Sequence, residues 1–387
     1  MGGMDMHPHL ANNGGVAFHR KQGVKQMKKT FSAAVALSVF AAPAIAANLE
    51  NPLYMPKQGT GYSKTSAGVM YKVADDSKAM QAKNHDGATE FPIWRLHEEL
   101  GYGILDNLEA YAKFGYTHDG DIDRKGMHLG RAGLKYRAID TEDGWVWDLY
   151  ADAQLGGVSP MSGAYTNQGF NYDNYSNGRW GFHVGTQFGK QWSKFSTAAF
   201  VEVLRTFGND NNEIDVTGYS VELAPGKSMP MTKLGFADEI SVDLKSATEV
   251  NAGLKMFYQL DDRWSFGGGF TFKHHSDNGV EGLASGLGTM PTAVATQLAV
   301  MQGKPAEEAA LVGAAVQQKI VNGLMDKVAD MEDGFDEYIV NLTAAYQLTD
   351  ATQVAVYGEY TFDESHAQSQ NGTDVKAELG VRLNVQF

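Results

Sequence analysis

Apolar residues fall on every second position over most of this chain, the period of a β-strand with one face toward an apolar medium and the other toward water. The run 375–387 is the cleanest case. Val375, Ala377, Leu379, Val381, Leu383, Val385 and Phe387 are apolar, and Lys376, Glu378, Gly380, Arg382, Asn384 and Gln386 between them are polar or glycine. The same pattern predicts twelve strands, at about 61–74, 91–103, 108–118, 127–138, 144–156, 179–189, 194–207, 240–260, 264–275, 335–348, 352–363 and 375–387. Connections after 103, 138, 189, 260 and 348 are short and alternate with longer ones, the order of an up-and-down antiparallel barrel with both termini on one side. Three short connections share one pattern, in Tyr102-Gly-Ile-Leu-Asp106, Tyr258-Gln-Leu-Asp-Asp262 and Tyr346-Gln-Leu-Thr-Asp350. The aspartate carboxylate suits a tight turn by accepting backbone N–H groups, and the tyrosine suits a membrane interface.

Two stretches depart from the alternation. Residues 213–223 allow a further hairpin within 208–239, and with it fourteen strands. Against this, Ile240, Val242, Leu244, Val250, Ala252, Leu254, Met256, Tyr258 and Leu260 keep one parity, interrupted only at Ser246 and Thr248. That favours a single strand projecting beyond the membrane, and twelve. Residues 277–334 change period altogether: 292–301 and 306–331 are rich in Ala, Gln, Glu and Lys, and Val312, Val316, Ile320, Leu324 and Val328 recur every fourth position. This predicts a long, partly helical external loop. A cap on neighbouring loops, a plug folded into the lumen, and a disordered or partner-binding segment are the three arrangements open to it.

The closing run, ending on an aromatic, resembles the last strand of bacterial outer-membrane β-barrel proteins, whose alternating apolar positions and terminal aromatic are read by the insertion machinery. The resemblance implies an all-β transmembrane barrel in the outer membrane, in contact with lipid and lipopolysaccharide. It also implies the barrel-assembly machinery as a partner, with Leu379, Val381, Leu383, Val385 and Phe387 as the assembly signal. The N-terminus points the same way. Lys28 and Lys29 precede an apolar run from Phe31 to Ala42, then Pro43 and Ala44-Ile45-Ala46, the pattern of a secretory signal with an A-x-A cleavage site. The organisation expected is therefore an upstream extension or miscalled start at 1–26, a signal peptide at 27–46 and the barrel at 47–387. No segment has the 18 or so consecutive apolar residues of a membrane-spanning helix.

Composition agrees: 43% apolar residues, 44 Gly and 17 Tyr suit alternating strands with aromatic girdles. The absence of cysteine removes disulfides and thiolate chemistry. The formal charge of −14 deepens past residue 46, where 27 Lys+Arg face 45 Asp+Glu, and argues against a nucleic-acid partner.

With the apolar parity toward lipid, the opposite parity names the lumen. Arg95, His97 and Glu99 face inward from the second strand, Glu109, Tyr111 and Lys113 from the third, and Arg131, Gly133, Lys135 and Arg137 from the fourth. Asp148, Tyr150, Asp152 and Gln154 do so from the fifth, and Glu337, Asn341, Gln353, Tyr357, Glu359, Lys376, Glu378 and Arg382 from the last three. Strands four and ten stand opposite each other in a ring of twelve. A basic wall of Arg131, Lys135 and Arg137 then faces an acidic one of Glu337, Glu359 and Glu378, giving a transverse field that tunes selectivity in a channel. In the alternative, neighbours such as Asp148, Asp152, Lys135 and Arg137 neutralise one another and fill the bore. Glu98 shares parity with Trp94, Leu96, Leu100 and Tyr102 and aims a carboxylate at lipid, unless it lies at the strand exit or a bulge shifts it.

Motifs for chemistry fail on inspection. His97-Glu98-Glu99-Leu100-Gly101 lacks the second histidine of HExxH, and Gly226-Lys227-Ser228 has Val221 where a P-loop needs glycine. Asp119, Asp121 and Asp123 lack the glycine and glutamate of a calcium loop, having Arg124 and Gly130 there. His274 and His275 are adjacent on a strand and face opposite ways. No enzyme, cofactor or metal site is expected. The function expected is a passive, porin-like channel for small hydrophilic solutes; a structural or surface-interaction barrel with a filled lumen is the alternative, and an outer-membrane enzyme the third.

Overall fold

The computed structural model describes residues 48–72, 93–119, 124–155, 180–216, 220–224, 226–276, 279–331, 334–362 and 376–387. The export signal expected at 27–46, the upstream residues and Asp121 and Asp123 lie outside them. In chain order the elements are β1 (Gly61–Lys72), β2 (Ile93–Leu105), β3 (Leu108–Asp119), β4 (Arg124–Asp140), β5 (Trp145–Gln154), β6 (Gly181–Gln191), β7 (Phe195–Thr206), β8 (Asn209–Asp215), β9 (Ser220–Ala224), β10 (Lys227–Pro230), β11 (Phe236–Leu244), β12 (Ala247–Gln259), β13 (Trp264–His275) and β14 (Val280–Leu287). Helices α1 (Thr292–Met301) and α2 (Ala309–Met331) follow, then β15 (Phe335–Thr349), β16 (Thr352–Phe362) and β17 (Lys376–Gln386).

Twelve of the strands close into an antiparallel barrel, in the ring order β1-β2-β3-β4-β5-β6-β7-β12-β13-β15-β16-β17 and back to β1. The seam is a full ladder from Tyr62–Gln386 to Lys72–Lys376. It is finished by a reciprocal pair of backbone bonds between Gly61 and Phe387, of 2.7 and 3.0 Å. Gly61 lets the Phe387 ring pack over the seam, in the space where a side chain at 61 would begin.

The alternation expected from sequence sets the two faces. Leu379, Val381 and Leu383 of β17 and Leu342 of β15 are exposed on the outer wall, Leu342 by 67%, whereas Asp148 on the inner parity of β5 is fully buried. Such an apolar outer surface has no place in water and fits hydrocarbon. Aromatic side chains gather at both ends of the wall. Trp145 stacks on Phe188 and Trp264 meets Tyr346 near the short turns, while Trp94, Trp180 and Phe207 are exposed toward the long connections. These are the girdles that rings with a wet edge and an apolar body form at the two membrane interfaces.

Three sequence readings change in detail. The strand expected over 240–260 is divided at Lys245-Ser246 into β11 and β12. The interruption runs across three neighbours: β7 gives way to β8 and β13 to β14 at the same level, and β8, β11 and β14 form a small sheet of their own above the barrel. Gly208 sits at the break with its N–H on Ser246 Oγ at 3.2 Å. In the turns, the repeated aspartate is not the local acceptor. Asp261 rather than Asp262 accepts from the N–H groups of Trp264 (2.7 Å) and Arg263 (2.8 Å), and these bonds hold its carboxyl below the ordinary aspartate range. Thr349 rather than Asp350 accepts from Ala351, and Asp106 accepts from Gln58, outside its own turn. Finally, Glu98 sits mid-strand with no shift in register between Thr65 and its neighbours. Its outward carboxylate accepts from Ser63 Oγ at 2.6 Å and Thr65 Oγ1 at 2.5 Å.

The helices join the small sheet as a cap with its own apolar core. Met231, Leu234, Phe236, Ile240, Val242 and Leu244 pack with Leu298 and Ala299 of α1 and Val312, Val316 and Ile320 of α2. Val312, Val316 and Ile320 of the stripe read at four-residue spacing thus lie on the buried face of α2, with Leu324 partly buried beside them. Gln317, on that same helix, ties it down by donating to the carbonyls of Leu234 (2.7 Å) and Gly288 (3.0 Å). Of the three arrangements open to this loop, the structure takes the cap.

Candidate functional site

The bore holds a chamber of about 460 Å³, lined by charged and hydroxyl side chains from the inner parity of the barrel strands. Arg131, Lys135, Asp152, Glu359, Glu378 and Arg382, all named from the alternation, line it. Arg137, Asp148 and Glu337 also point inward but lie outside the chamber, each buried against a partner. One side of the chamber is nearly bare: β13 and β15 present Gly267, Asn341 and Thr343 to it, so open space runs along that wall and long side chains crowd the rest.

The charges pair along the wall rather than across it. Arg137 Nε donates to Asp148 Oδ1 at 2.8 Å and Nη2 to Oδ2 at 3.2 Å, and Lys135 lies 3.3 Å from Glu109. Glu337 is met by Lys273 at 3.3 Å, and Glu378 by Arg95 at 2.9 Å. Neighbouring strands are only about 4.8 Å apart, so a partner one strand away is within reach of any long side chain. On the two walls expected to set up a transverse field, Lys135, Arg137 and Glu337 are met from the strand beside them, and Glu378 from two strands away, across β1. Arg131 is the member of the basic wall that keeps no such partner: among the described residues it has neither hydrogen bond nor ion pair, and its Nε is buried without an acceptor.

Tyrosine hydroxyls add further donors to the inward-facing acids. Tyr111 donates to Asp152 (2.7 Å), Tyr150 to Glu202 (2.7 Å) and Tyr357 to Glu378 (2.7 Å), and the single hydroxyl hydrogen of Tyr62 lies within reach of Glu109 (2.6 Å) and Glu99 (2.9 Å). His183 sits between Asp152, 2.6 Å from Nδ1, and Glu202, 3.6 Å from Nε2. His274 and His275 face opposite ways, His274 exposed on Asp336 and His275 buried toward Glu249. Among the described residues no cluster has a metal-binding arrangement.

The segment just before β1 is the component the alternation did not reveal. Residues 48–57 cross the short-turn end of the bore as a strap. Glu50 binds Arg382 (2.9 Å) and Asn384 (2.8 Å) of β17, and Asn48 bonds Gln259 of β12 and Gln353 of β16. Asn51 accepts from Ser196 of β7. The strap carbonyls accept as well: Pro52 from Gln187, Leu53 from Arg137 and Tyr54 from Lys135. Leu53 is buried against Val146 and Ala198. A sequence signal for it existed in Val146, an apolar residue on the otherwise polar inner parity of β5, next to a short-turn rim. Burial raises the pKa of Tyr54, whose hydroxyl accepts from Gln386.

No protein-family model and no curated protein matches the chain. Solved structures do. An outer membrane channel from Pseudomonas putida F1 aligns with a TM-score of 0.49 at 11% identity, over 89% of this chain and 100% of that one. The NanC porin aligns at 0.37 and 8% identity, over 84% and 98%. The translocator domain of the autotransporter NalP from Neisseria meningitidis aligns at 0.35 and 8%, over 94% and 95%. The fold is that of a bacterial outer-membrane β-barrel. That statement stands on the closed ladder, the apolar outer wall and the two aromatic girdles of this chain.

Proposed function

We propose that the protein is a passive channel of low conductance for small hydrophilic solutes in the bacterial outer membrane, with the short turns and strap on the periplasmic side. The observation that carries this reading is the polar chamber of about 460 Å³, open along the bare β13–β15 wall. A bore built only for stability has no reason to keep that space or to line it with charge. In this reading the strap is the constriction, and the paired charges along the wall hold long side chains back from the path.

A second reading is favoured by the strap itself, which is bonded to β4, β6, β7, β12, β16 and β17 and packs an apolar residue. In a structural or surface-interaction barrel, such a strap permanently seals the bore and the cap makes the outward contacts. Liposome swelling separates the two. Refolded protein is expected to admit glycerol and arabinose at a measurable rate and larger oligosaccharides far more slowly. Swelling indistinguishable from protein-free liposomes for every solute contradicts the channel.

A further inference from the structure

Counting donors and acceptors around the chamber gives an unequal result. The acids reach donors: Glu99 has Tyr62, Lys64 (3.5 Å) and Lys113 (3.4 Å), Asp152 has Tyr111 and His183, and Glu202 has Tyr150 with His183 near. The cations are less well served. Arg131 of β4 has no hydrogen bond or ion pair among the described residues, its Nε buried without an acceptor, and the Lys255 ammonium of β12 lies 4.3 Å from the Phe200 ring with Glu202 as the carboxylate that acts on it most strongly. Lys113 of β3 is paired with Glu99 at 3.4 Å, yet its side chain stays 43% exposed toward the chamber. Like charges left together in a confined space repel, and an anion placed among them gains from all three.

We propose that the chamber is a binding site for a small organic anion whose carboxylate or phosphate oxygens are held by Arg131 and Lys255, with Lys113 assisting. The guanidinium offers a planar fork that fits two oxygens of one oxyanion, and the ammonium a mobile point charge. The neutral part of the solute lies against the Gly267–Thr343 side, where no long side chain intrudes. A chamber of about 460 Å³ is in the range of small-molecule sites. The nearest competing arrangement is internal. Asp152 Oδ1 is buried without a hydrogen bond on the strand next to Arg131, so a swing of the guanidinium onto Asp152 removes the site.

This inference deepens the channel reading but is tested apart from it, by titrating detergent-refolded protein with gluconate, glucose and inorganic phosphate in a calorimeter. Gluconate is expected to bind at least tenfold more tightly than glucose, phosphate to compete with it, and Arg131→Gln with Lys255→Gln to weaken gluconate at least tenfold. Competition by phosphate stronger than gluconate's own binding names a phosphorylated solute; weaker competition names a carboxylate. No preference of the wild type for gluconate over glucose overturns the proposal, as does a folded double variant with unchanged binding. If the double variant fails to show the heat-modifiable gel shift of a folded barrel, Lys255→Gln alone decides, with a threefold or greater loss expected and none contradicting. A protein silent in bilayers that still binds gluconate refutes the channel and leaves the site. A conducting protein that does not discriminate refutes the site and leaves the channel.

Discussion

Asp148 illustrates how much one inward position carries. It is fully buried and holds Arg137 through two bonds and Gln187 through a third, so Asp148→Ala leaves a buried guanidinium with only Asp140 and the Leu53 carbonyl. Loss of one partner of a buried pair costs about 3 kcal/mol, read as a lower midpoint in urea unfolding; Asp140→Ala, at an exposed carboxylate 3.4 Å away, should cost less than about 1 kcal/mol. Equal effects would contradict the assigned pairing. Glu98 gives the opposite expectation. Its carboxylate faces lipid with two hydroxyl donors, and a charge on that face is costly, so Glu98→Leu should raise unfolding stability by about 1 kcal/mol. A clear loss would show that this face meets something other than lipid. The inner or outer face of each of these residues was legible from period-two alternation. Their partners were not, because alternation carries no information on which neighbour a long side chain will choose.

Among the elements, the cap and the closing strand behave differently. The cap owns a core separate from the barrel, so Leu234→Ala, at a residue with no exposure, should destabilise it by about 3 kcal/mol and open it to protease. The heat-modifiable shift of the barrel should be unchanged; loss of that shift would mean the two fold as one unit. β17, by contrast, closes the ring. Phe387→Asp should lower folding yield well below Gln386→Asp, since the first removes the ring over Gly61 and charges the outer parity, while the second faces the bore near Tyr54. The helices were readable from composition and four-residue spacing. The break at Lys245-Ser246 was marked only by the polar interruption at Ser246 and Thr248, because the apolar residues of 240–260 resume the same parity beyond it and the neighbouring strands break at the same level.

At the scale of the whole molecule, a closed ladder excludes an edge, an apolar wall selects the membrane, and the remaining question is whether the bore conducts past the strap. The twelve-strand ring followed from alternation because a strand in a membrane must satisfy both its faces. The strap escaped because it is irregular backbone whose bonds go to side chains on many strands, a long-range pattern that no local period records. Single-channel recording in planar bilayers tests the account most directly, on the wild type and on a variant lacking 48–57, with Glu50→Gln/Leu53→Ala as the milder form. The account predicts small, resolvable steps in the wild type and several-fold larger steps when the strap is removed or loosened. Silence in all three, with each shown to be a folded barrel, would contradict it.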